Sequence, residues 1–249
     1  MSASAVALIP ARYASTRFPG KPLAAETRRP LIQHVVERLA GCETVSRVVV
    51  ATDDARIHDA VRGFGGEAVM TGEHENGTAR LAEAAGLLNL SETQIVVNVQ
   101  GDEPEIPPTT VDRLVAGLAA DPAADMATLA APFADGENIN DPNVVKLVVT
   151  RQNRALYFSR SPIPFDRDGV GTHTLYKHPG CYAYRHRFLR TYAGLPPTPL
   201  ETAEKLEQLR VLEHGHAIAV VHAPAPHPGI DTPAQYEAFV TRWRAAGGG

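Results

Sequence analysis

Several features that would define a function class are absent from this sequence of 249 residues. Its two cysteines, Cys42 and Cys181, form no CxxC pair, so neither a zinc site nor a disulfide framework is predicted, and reduced thiols in a cytoplasmic protein are expected. No stretch approaches the roughly 20 apolar residues of a membrane span. The formal net charge is -4 and no basic run occurs, which argues against nucleic acid as a partner.

The glycine-rich phosphate motifs are missing as well. Neither GxGxxG nor a Walker A loop follows the first predicted strand. This absence disfavours a dinucleotide-dependent dehydrogenase, although Asp53 follows the second predicted strand, where such folds bind ribose. Residues 1–12 carry no basic segment before their short apolar run, so they predict a buried strand and not a signal peptide.

The first half of the chain alternates short apolar runs with helical spacing. The apolar runs predict strands at 5–10, 47–52, 67–70 and 94–99. The helical spacing predicts helices from Pro30, over 55–64 and over 78–88. This βαβαβ order predicts an α/β fold with a Rossmann-like, mostly parallel twisted sheet that is flanked by helices.

The second half predicts more β structure. Runs at 144–150 and 155–159 flank a polar tetrad and predict a hairpin, and the breakers in 161–174 predict a mobile loop. A capping-box spacing at Thr198 predicts one helix that continues to about residue 213. Strands at 180–184 and 217–222 and a last helix capped by Thr232 or Asp231 complete the prediction. We expect one domain, 1–249, with an inserted β-rich subregion near 130–200.

Three cations follow the first predicted strand directly. Arg12, Arg17 and Lys21 lie in the segment IPARYASTRFPGKP, residues 9–22. Ligands of open α/β sheets bind at the carboxyl ends of the strands, and small residues let the backbone approach a polyphosphate. The segment therefore predicts a phosphate-binding loop; by charge alone, a solvated surface loop is an equal alternative.

Two aspartates are candidate metal ligands. Asp102 ends the apolar strand segment VVNVQGDEP, and Mg²⁺ prefers one or two carboxylates together with phosphate oxygens and water. Asp231 precedes the last predicted helix. The alternatives are ordinary ones, since Asp102 could cap a turn and Asp231 could cap the helix. Spacing along the chain does not decide whether the two carboxylates meet.

Seven segments in fixed order resemble the CMP-Kdo synthetase family, from about residue 7 to about residue 239. They are IPARYASTRFPGKPL, VVNVQGDEPEIPP, NVVKLV, ALYFSRSPIPF, KHPGCYAYR, LEQLRVL and GIDTP. The resemblance implies a nucleotide-diphospho-sugar-transferase fold, a homodimer and Mg²⁺ as cofactor. It implies transfer of CMP from CTP to the anomeric hydroxyl of 3-deoxy-manno-octulosonate (Kdo), with release of pyrophosphate, for lipopolysaccharide assembly.

The resemblance also implies roles for individual residues. The CTP-binding residues would be Arg12, Ser15, Lys21, Arg80 and Gln100. Asp102 and Asp231 would hold the metal, and with Arg12 and Lys21 they would carry catalysis. The sugar-acid pocket would comprise Arg160, His178, Tyr182, Tyr184, Glu207 and Gln208. Arg160 is expected to bind the substrate carboxylate, because a planar guanidinium matches a carboxylate.

Two departures from the family pattern leave alternatives open. Ala79 stands where the family usually has an acid, which raises the question of what holds Arg80, and Cys181 replaces a branched aliphatic residue. A nucleotidyltransferase for amino-Kdo, a nonulosonic acid or a polyol phosphate is therefore the alternative, and a non-catalytic nucleotide-binding module is a remote one. By itself, His178 is more typical of a structural residue than of a catalytic one.

Overall fold

The computed structural model describes residues 4–14, 17–74, 76–171, 173–224 and 229–247. The strands in these ranges are β1 (Ala5–Ala11), β2 (Val45–Thr52), β3 (Glu67–Met70), β4 (Ile95–Asn98), β5 (Met126–Pro132), β6 (Lys146–Val149), β7 (Ala155–Ser159), β8 (Tyr176–Lys177), β9 (Tyr182–Arg185) and β10 (Ile218–His222). The α-helices are α1 (Leu31–Leu39), α2 (Ala55–Gly63), α3 (Gly77–Leu87), α4 (Pro108–Ala120), α5 (His186–Gly194), α6 (Pro199–Glu204), α7 (Gln208–Glu213) and α8 (Pro233–Ala245).

The first half folds into four parallel neighbouring strands in the order β3-β2-β1-β4. Leu8 of β1 pairs with Val49 of β2 on one side and with Asn98 of β4 on the other. Because parallel strands end at the same edge of a sheet, the segments that follow β1, β2, β3 and β4 lie side by side there. The predicted βαβαβ order is confirmed.

Past β4 the sheet becomes mixed. Strand β9 runs antiparallel between β4 and β5, β10 pairs parallel with β5, and the order continues β5-β8-β6-β7 through antiparallel pairs. The predicted hairpin is confirmed by the pairing of Lys146 with Ser159. The α/β class is confirmed, but the sheet is less parallel than expected, because the hairpin and the reversed β9 enter the same sheet.

Helices cover both faces of the sheet, as predicted. One core contains Ile9, Val50 and Val97 with residues of α1, α2 and α4. The other contains their chain neighbours Leu8, Val49 and Val96 with residues of α3 and α5. Consecutive strand residues point to opposite faces, so these continuous apolar runs fit strands that are buried on both sides. Helix α8 packs against Leu31 and Ile230 in a third apolar cluster, separate from these two cores.

One prediction for the second half needs correction, and one open alternative is settled. The helix expected over 198–213 is two short helices, because Lys205 ends α6 in the left-handed conformation (φ 54°, ψ 46°), which allows Leu206 to be buried. Thr232, and not Asp231, caps α8, through a capping box with Gln235. The sequence patterns also missed α4, β5 and α5. No helix within the described ranges has the length and hydropathy of a membrane span.

Candidate active site

Two adjoining cavities open at the carboxyl edge of β1 and β4. Both are lined by Pro10, Ala11, Arg12 and Gln100. Cavity A, about 290 Å³, is completed by His74, Asn76, Gly77, Arg80 and Glu207. Cavity B, about 180 Å³, is completed by Arg17, Lys21, Pro22, Gly101, Asp102 and Asp231. The phosphate-loop cations Arg12, Arg17 and Lys21 and the two aspartates therefore line one continuous surface, which the sequence spacing left open and the family resemblance implied.

The two aspartates of cavity B converge on one ammonium group. Lys21 Nζ donates to Asp102 Oδ2 at 2.6 Å and to the Ile230 carbonyl at 2.7 Å, and it lies 3.9 Å from Asp231 Oδ1. Arg17 Nη2 donates to Asp231 Oδ1 at 2.8 Å. The Ile230 amide also donates to the Asp102 carbonyl, at 2.9 Å. The two carboxylates, which are 129 positions apart in the chain (231 - 102), are thus held together by local hydrogen bonds.

Local backbone geometry brings the basic loop onto the aspartates. Gly20 adopts a left-handed conformation (φ 71°), donates its amide to the Tyr13 carbonyl, and starts the single 3₁₀ turn Lys21–Leu23. A Cβ at Gly20 would lie 3.1 Å from the Tyr13 hydroxyl oxygen, so a larger residue would press on that ring as well as strain the turn. After this turn, the Lys21 side chain reaches Asp102, which follows β4.

The carboxylate pair suits a hard cation. Among the described residues no cluster of three or more His, Cys, Asp or Glu side chains could hold a metal, so a zinc or calcium cage made by protein ligands alone does not fit them. Two convergent carboxylates beside cationic side chains do fit Mg²⁺, which completes its shell with phosphate oxygens and water. The roles of Asp102 and Asp231 as metal ligands stay a prediction that this donor set supports.

Arg80 forms a nearly buried wall of cavity A. Its Nη2 donates to Asp53 Oδ2 at 2.5 Å and its Nη1 donates to Thr71 Oγ1 at 2.9 Å, and its side chain is 4% exposed. The partner that Ala79 cannot provide is therefore Asp53. Sequence reasoning compared Asp53 only with a ribose ligand, and the contact could have been anticipated because β2 and β3 end side by side.

The start of α3 and the segment before it form the rest of this wall. Asn76 caps α3 by accepting from the Ala79 amide at 2.9 Å, and helix N-termini favour negative charge. His74 Nε2 lies 2.5 Å from Glu83 Oε2, and this hydrogen bond lowers the pKa of Glu83. Neither His74 nor Asn76 was predicted as a site residue; the signal was their position just before the GTAR segment.

Arg12 and Gln100 are the predicted CTP-binding residues that line both cavities. Arg12 lines both cavities and makes no ion pair with any residue in the described ranges, so its charge is available to a ligand. Gln100 lies between the cavities, and its Nε2 is 3.4 Å from Asn98 Oδ1. Ser15 lies outside the described residues.

Of the predicted sugar-acid residues, Glu207 lines cavity A, and Tyr182 and Tyr184 lie on β9. Burial raises the pKa of Glu207, while Thr78 Oγ1 donates to its Oε2 at 3.1 Å. Tyr184 is fully buried, and Tyr182 and Tyr184 share one face of β9, as predicted. Burial also raises the pKa of both tyrosine hydroxyls, which therefore stay protonated near neutral pH.

His178 takes part in a partly buried chain of hydrogen bonds. Gln208 Nε2 lies 3.4 Å from His178 Nδ1, His178 Nε2 lies 2.8 Å from Thr128 Oγ1, and Thr128 donates to the Cys181 carbonyl at 2.8 Å. Burial lowers the pKa of His178 to about 3. His178 is thus a neutral ring in this conformation, so it orders Gln208 and the start of β9 without contributing a charge.

Arg160 is not brought to either cavity. Its guanidinium donates to the carbonyls of Glu204 (2.7 Å), Pro142 (2.9 Å) and Lys205 (3.4 Å). Its backbone amide also donates to Glu204 Oε2 at 2.9 Å. In this arrangement the guanidinium fastens the end of β7 to α6. That Arg160 binds the substrate carboxylate stays a prediction.

Comparison with known proteins points to a single class. The cytidylyltransferase family profile matches residues 6–218. The chain is 54% identical over 237 residues to 3-deoxy-manno-octulosonate cytidylyltransferase of Syntrophobacter fumaroxidans, covering 94% of this chain and 95% of the relative. It is 49% identical over 228 residues to 8-amino-3,8-dideoxy-manno-octulosonate cytidylyltransferase of Shewanella piezotolerans, covering 91% and 93%.

A solved structure is similar throughout. The structure of CMP:2-keto-3-deoxy-manno-octonic acid synthetase in complex with CTP superposes with a TM-score of 0.91 at 44% identity. The match covers 98% of this chain and all of the other.

Proposed function

The chain belongs to the cytidylyltransferase family, and on that premise we propose that it is a nucleotidyltransferase that makes CMP-Kdo from CTP and Kdo. The relatives that are about half identical over most of the chain carry this activity in their names. The observation that carries the proposal in the molecule is the convergence of Asp102, Asp231 and Lys21 beside Arg12 at the carboxyl edge of the sheet.

The reaction is a substitution at phosphorus. The anomeric oxygen of the sugar acid forms a bond to the α-phosphorus of CTP, the bond from that phosphorus to the β-phosphate oxygen breaks, and pyrophosphate leaves with the electron pair. The hydroxyl proton passes to solvent. Charge grows on the phosphate oxygens, so preorganised cations lower the barrier. Arg12, Arg17 and Lys21 line the surface where they would do this.

Magnesium is the proposed cofactor, and Asp102 and Asp231 are the residues that would hold it. When bound, it supplies Lewis-acid neutralisation of phosphate charge. In the structure, Lys21 and Arg17 neutralise the same carboxylates, at 2.6 and 2.8 Å. A triphosphate would offer Lys21 and Arg17 an alternative negative partner, and its bound Mg²⁺ would offer the two aspartates a positive one. The basic loop and the acidic pair are therefore suited to a nucleotide that binds together with its metal.

On the acceptor side, Glu207 meets the ligand and the residues behind it hold its position. Tyr192 donates to the Glu207 carbonyl at 2.8 Å, which fixes the start of α7. His178 and Gln208 act as support, since they bond to each other. We further propose a cytoplasmic homodimer that supplies lipopolysaccharide assembly, as the family resemblance implies.

Pyrophosphate release tests the activity. We expect turnover with CTP, Kdo and Mg²⁺, a kcat/KM for the other three nucleoside triphosphates that is at least tenfold lower, and loss of turnover after chelation. A matched assay with 8-amino-3,8-dideoxy-manno-octulosonate is needed, because relatives named for that substrate are 48–49% identical to this chain. Preference for the amino sugar would establish that alternative, and CTP binding without turnover on any sugar acid would indicate a non-catalytic module.

A further inference from the structure

Cavity A contains two guanidinium groups whose electrostatic surroundings differ. Arg12 forms no ion pair with the described residues, whereas Arg80 is fixed by Asp53 and Thr71. A buried cation is costly unless a counter-charge and hydrogen bonds compensate it. The Arg80–Asp53 pair is therefore nearly neutral as a unit, while Arg12 keeps its full charge.

The counter-charge of Arg80 is Asp53, which directly follows the last residue of β2. Thr52 and Met70 are the last registered pair of β2 and β3, and Thr71 donates its amide to the Thr52 carbonyl at 2.9 Å. Asp53 and Thr71 thus follow neighbouring strands at the same level. Each occupies one terminal nitrogen of Arg80, which sets the plane and direction of the guanidinium. Asp53 itself is not among the residues that line either cavity.

We infer that Asp53 is a positioning residue for nucleotide recognition, acting through Arg80. The inference rests on the proposed function, with Arg80 near the nucleotide base as the family resemblance implies. A pyrimidine is uncharged and offers carbonyl and ring-nitrogen acceptors, so it is best met by an oriented donor whose charge is cancelled. A triphosphate is best met by unpaired cations such as Arg12. Asp53 therefore cancels the charge of Arg80 where the base would bind, and the unpaired charge of Arg12 remains for the phosphates.

The inference predicts that loss of the Asp53 charge weakens the binding of CTP but does not weaken the binding of inorganic tripolyphosphate. Asp53→Asn keeps the shape of the side chain but removes its charge, so Arg80 becomes an unpaired second cation without a fixed direction. We expect the KM for CTP to rise at least tenfold, with the KM for Kdo within about twofold of the wild-type value. We expect inhibition by inorganic tripolyphosphate to become equally strong or stronger, because the phosphates gain a competing cation.

The control variants separate positioning from general damage. Asp121→Asn breaks another aspartate–arginine pair (Arg154 Nη2 to Asp121 Oδ1, 2.7 Å) away from both cavities, and it should leave both KM values unchanged. Asp53→Glu keeps the charge and should restore part of the CTP affinity. In an Arg80→Met background, Asp53→Asn should have no further effect on CTP. This double variant replaces a charged pair by a neutral one, so it also serves if Asp53→Asn alone fails to fold.

Several results would overturn the inference. They are an unchanged KM for CTP in Asp53→Asn, an equal rise in both substrate constants, weaker tripolyphosphate inhibition, or a persistent Asp53 effect without Arg80. Calorimetric titration of CTP with Mg²⁺ gives the same comparison without turnover. A wild-type protein that binds CTP but transfers nothing to Kdo would therefore refute the proposed function and leave the role of Asp53 open to measurement on binding alone.

Discussion

Lys21 has the most concentrated set of contacts in cavity B. Its ammonium bonds to one carboxylate and one carbonyl and lies within 4 Å of the second carboxylate, and its side chain is 14% exposed. An ammonium in this position competes with any cation that would bind Asp102 and Asp231. The same ammonium is the donor expected to stabilise the leaving phosphates, so Lys21 should influence metal affinity and turnover in opposite directions.

Lys21→Met should separate these two effects. We expect turnover to fall by about 100-fold or more, in the range found when one preorganised electrostatic donor is removed. We expect Mn²⁺, used as a spectroscopic substitute for Mg²⁺, to bind more tightly in the absence of nucleotide, because the competing ammonium is gone. Turnover can be measured by pyrophosphate release and metal binding by electron paramagnetic resonance.

Lys177→Met is the matched control for this experiment. Lys177 donates to Glu137 Oε1 at 2.7 Å, outside both cavities, so it should leave Mn²⁺ affinity unchanged. Weaker Mn²⁺ binding in Lys21→Met than in the wild type would contradict the competition argument.

At the scale of single residues, the sequence placed those that follow strands and could not show hydrogen bonds to distant backbone carbonyls. Arg12, Lys21 and Asp102 lie directly after β1 or β4, so strand order was enough to place them. The observed partners of Arg160 could not be predicted, because they are backbone carbonyls at 142, 204 and 205, which leave no pattern in the sequence. Asp53 was correctly placed at the carboxyl end of β2, but it was compared with a ribose-binding acid, whereas its partner in the structure is Arg80.

Secondary-structure elements were predicted best where periodicity was continuous. The strand at 67–70 was predicted with its observed bounds, and the first three helices began within one residue of prediction. The break at Lys205 could not be predicted, because a lysine carries the left-handed conformation that usually signals glycine. Helix α4 contains Gly117, which helix propensity does not favour; packing against β10 explains why a glycine stands there.

Two helix glycines give a matched test of that packing. A Cβ at Gly117 in α4 would overlap Val221 Cγ2 of β10, whereas a Cβ at Gly86 in α3 would meet nothing within 4 Å. Gly86→Ala should therefore stabilise the protein by about 0.5–1 kcal/mol through helix propensity. Gly117→Ala should destabilise it by about 1–2 kcal/mol, because the cost of overpacking exceeds that gain.

Urea unfolding of both variants measures the difference. The loss in Gly117→Ala should be smaller when it is made in a Val221→Ala background, because the overlapping methyl group is then absent. Equal stabilisation by the two alanines would show that α4 and β10 separate without cost.

For the molecule as a whole, two histidines whose pKa is lowered by burial link stability to pH. His178 lies in the β-rich half, and His34 packs between Phe239 and Trp243 beside α8. Burial lowers the pKa of both, to about 3 for His178. The unfolded chain, with histidines near their ordinary pKa of about 6.5, binds more protons below that value than the folded protein does. Folded stability should therefore fall as the pH falls below about 6.5.

Between pH 7 and pH 5, His178 alone should account for the loss of about 2 kcal/mol of unfolding free energy. The measurement is urea unfolding at both pH values for the wild type, His178→Gln and His214→Gln. His178→Gln should show a smaller pH effect than the wild type, and exposed His214 serves as the control. The same pH effect in wild type and His178→Gln would mean that the ring gains a proton without unfolding.

Strand β9 has a consequence for how this chain can diverge. It joins the donor and acceptor sides in one ladder, with Tyr182 opposite Asn98 of β4 and opposite Thr128 of β5. Inserting or deleting a single residue there would turn each aromatic ring to the other side of the sheet. New acceptor preferences are therefore expected to arise by exchanging side chains at constant strand length, while changes in length are more easily accepted in the described loop 160–171, which belongs to no strand.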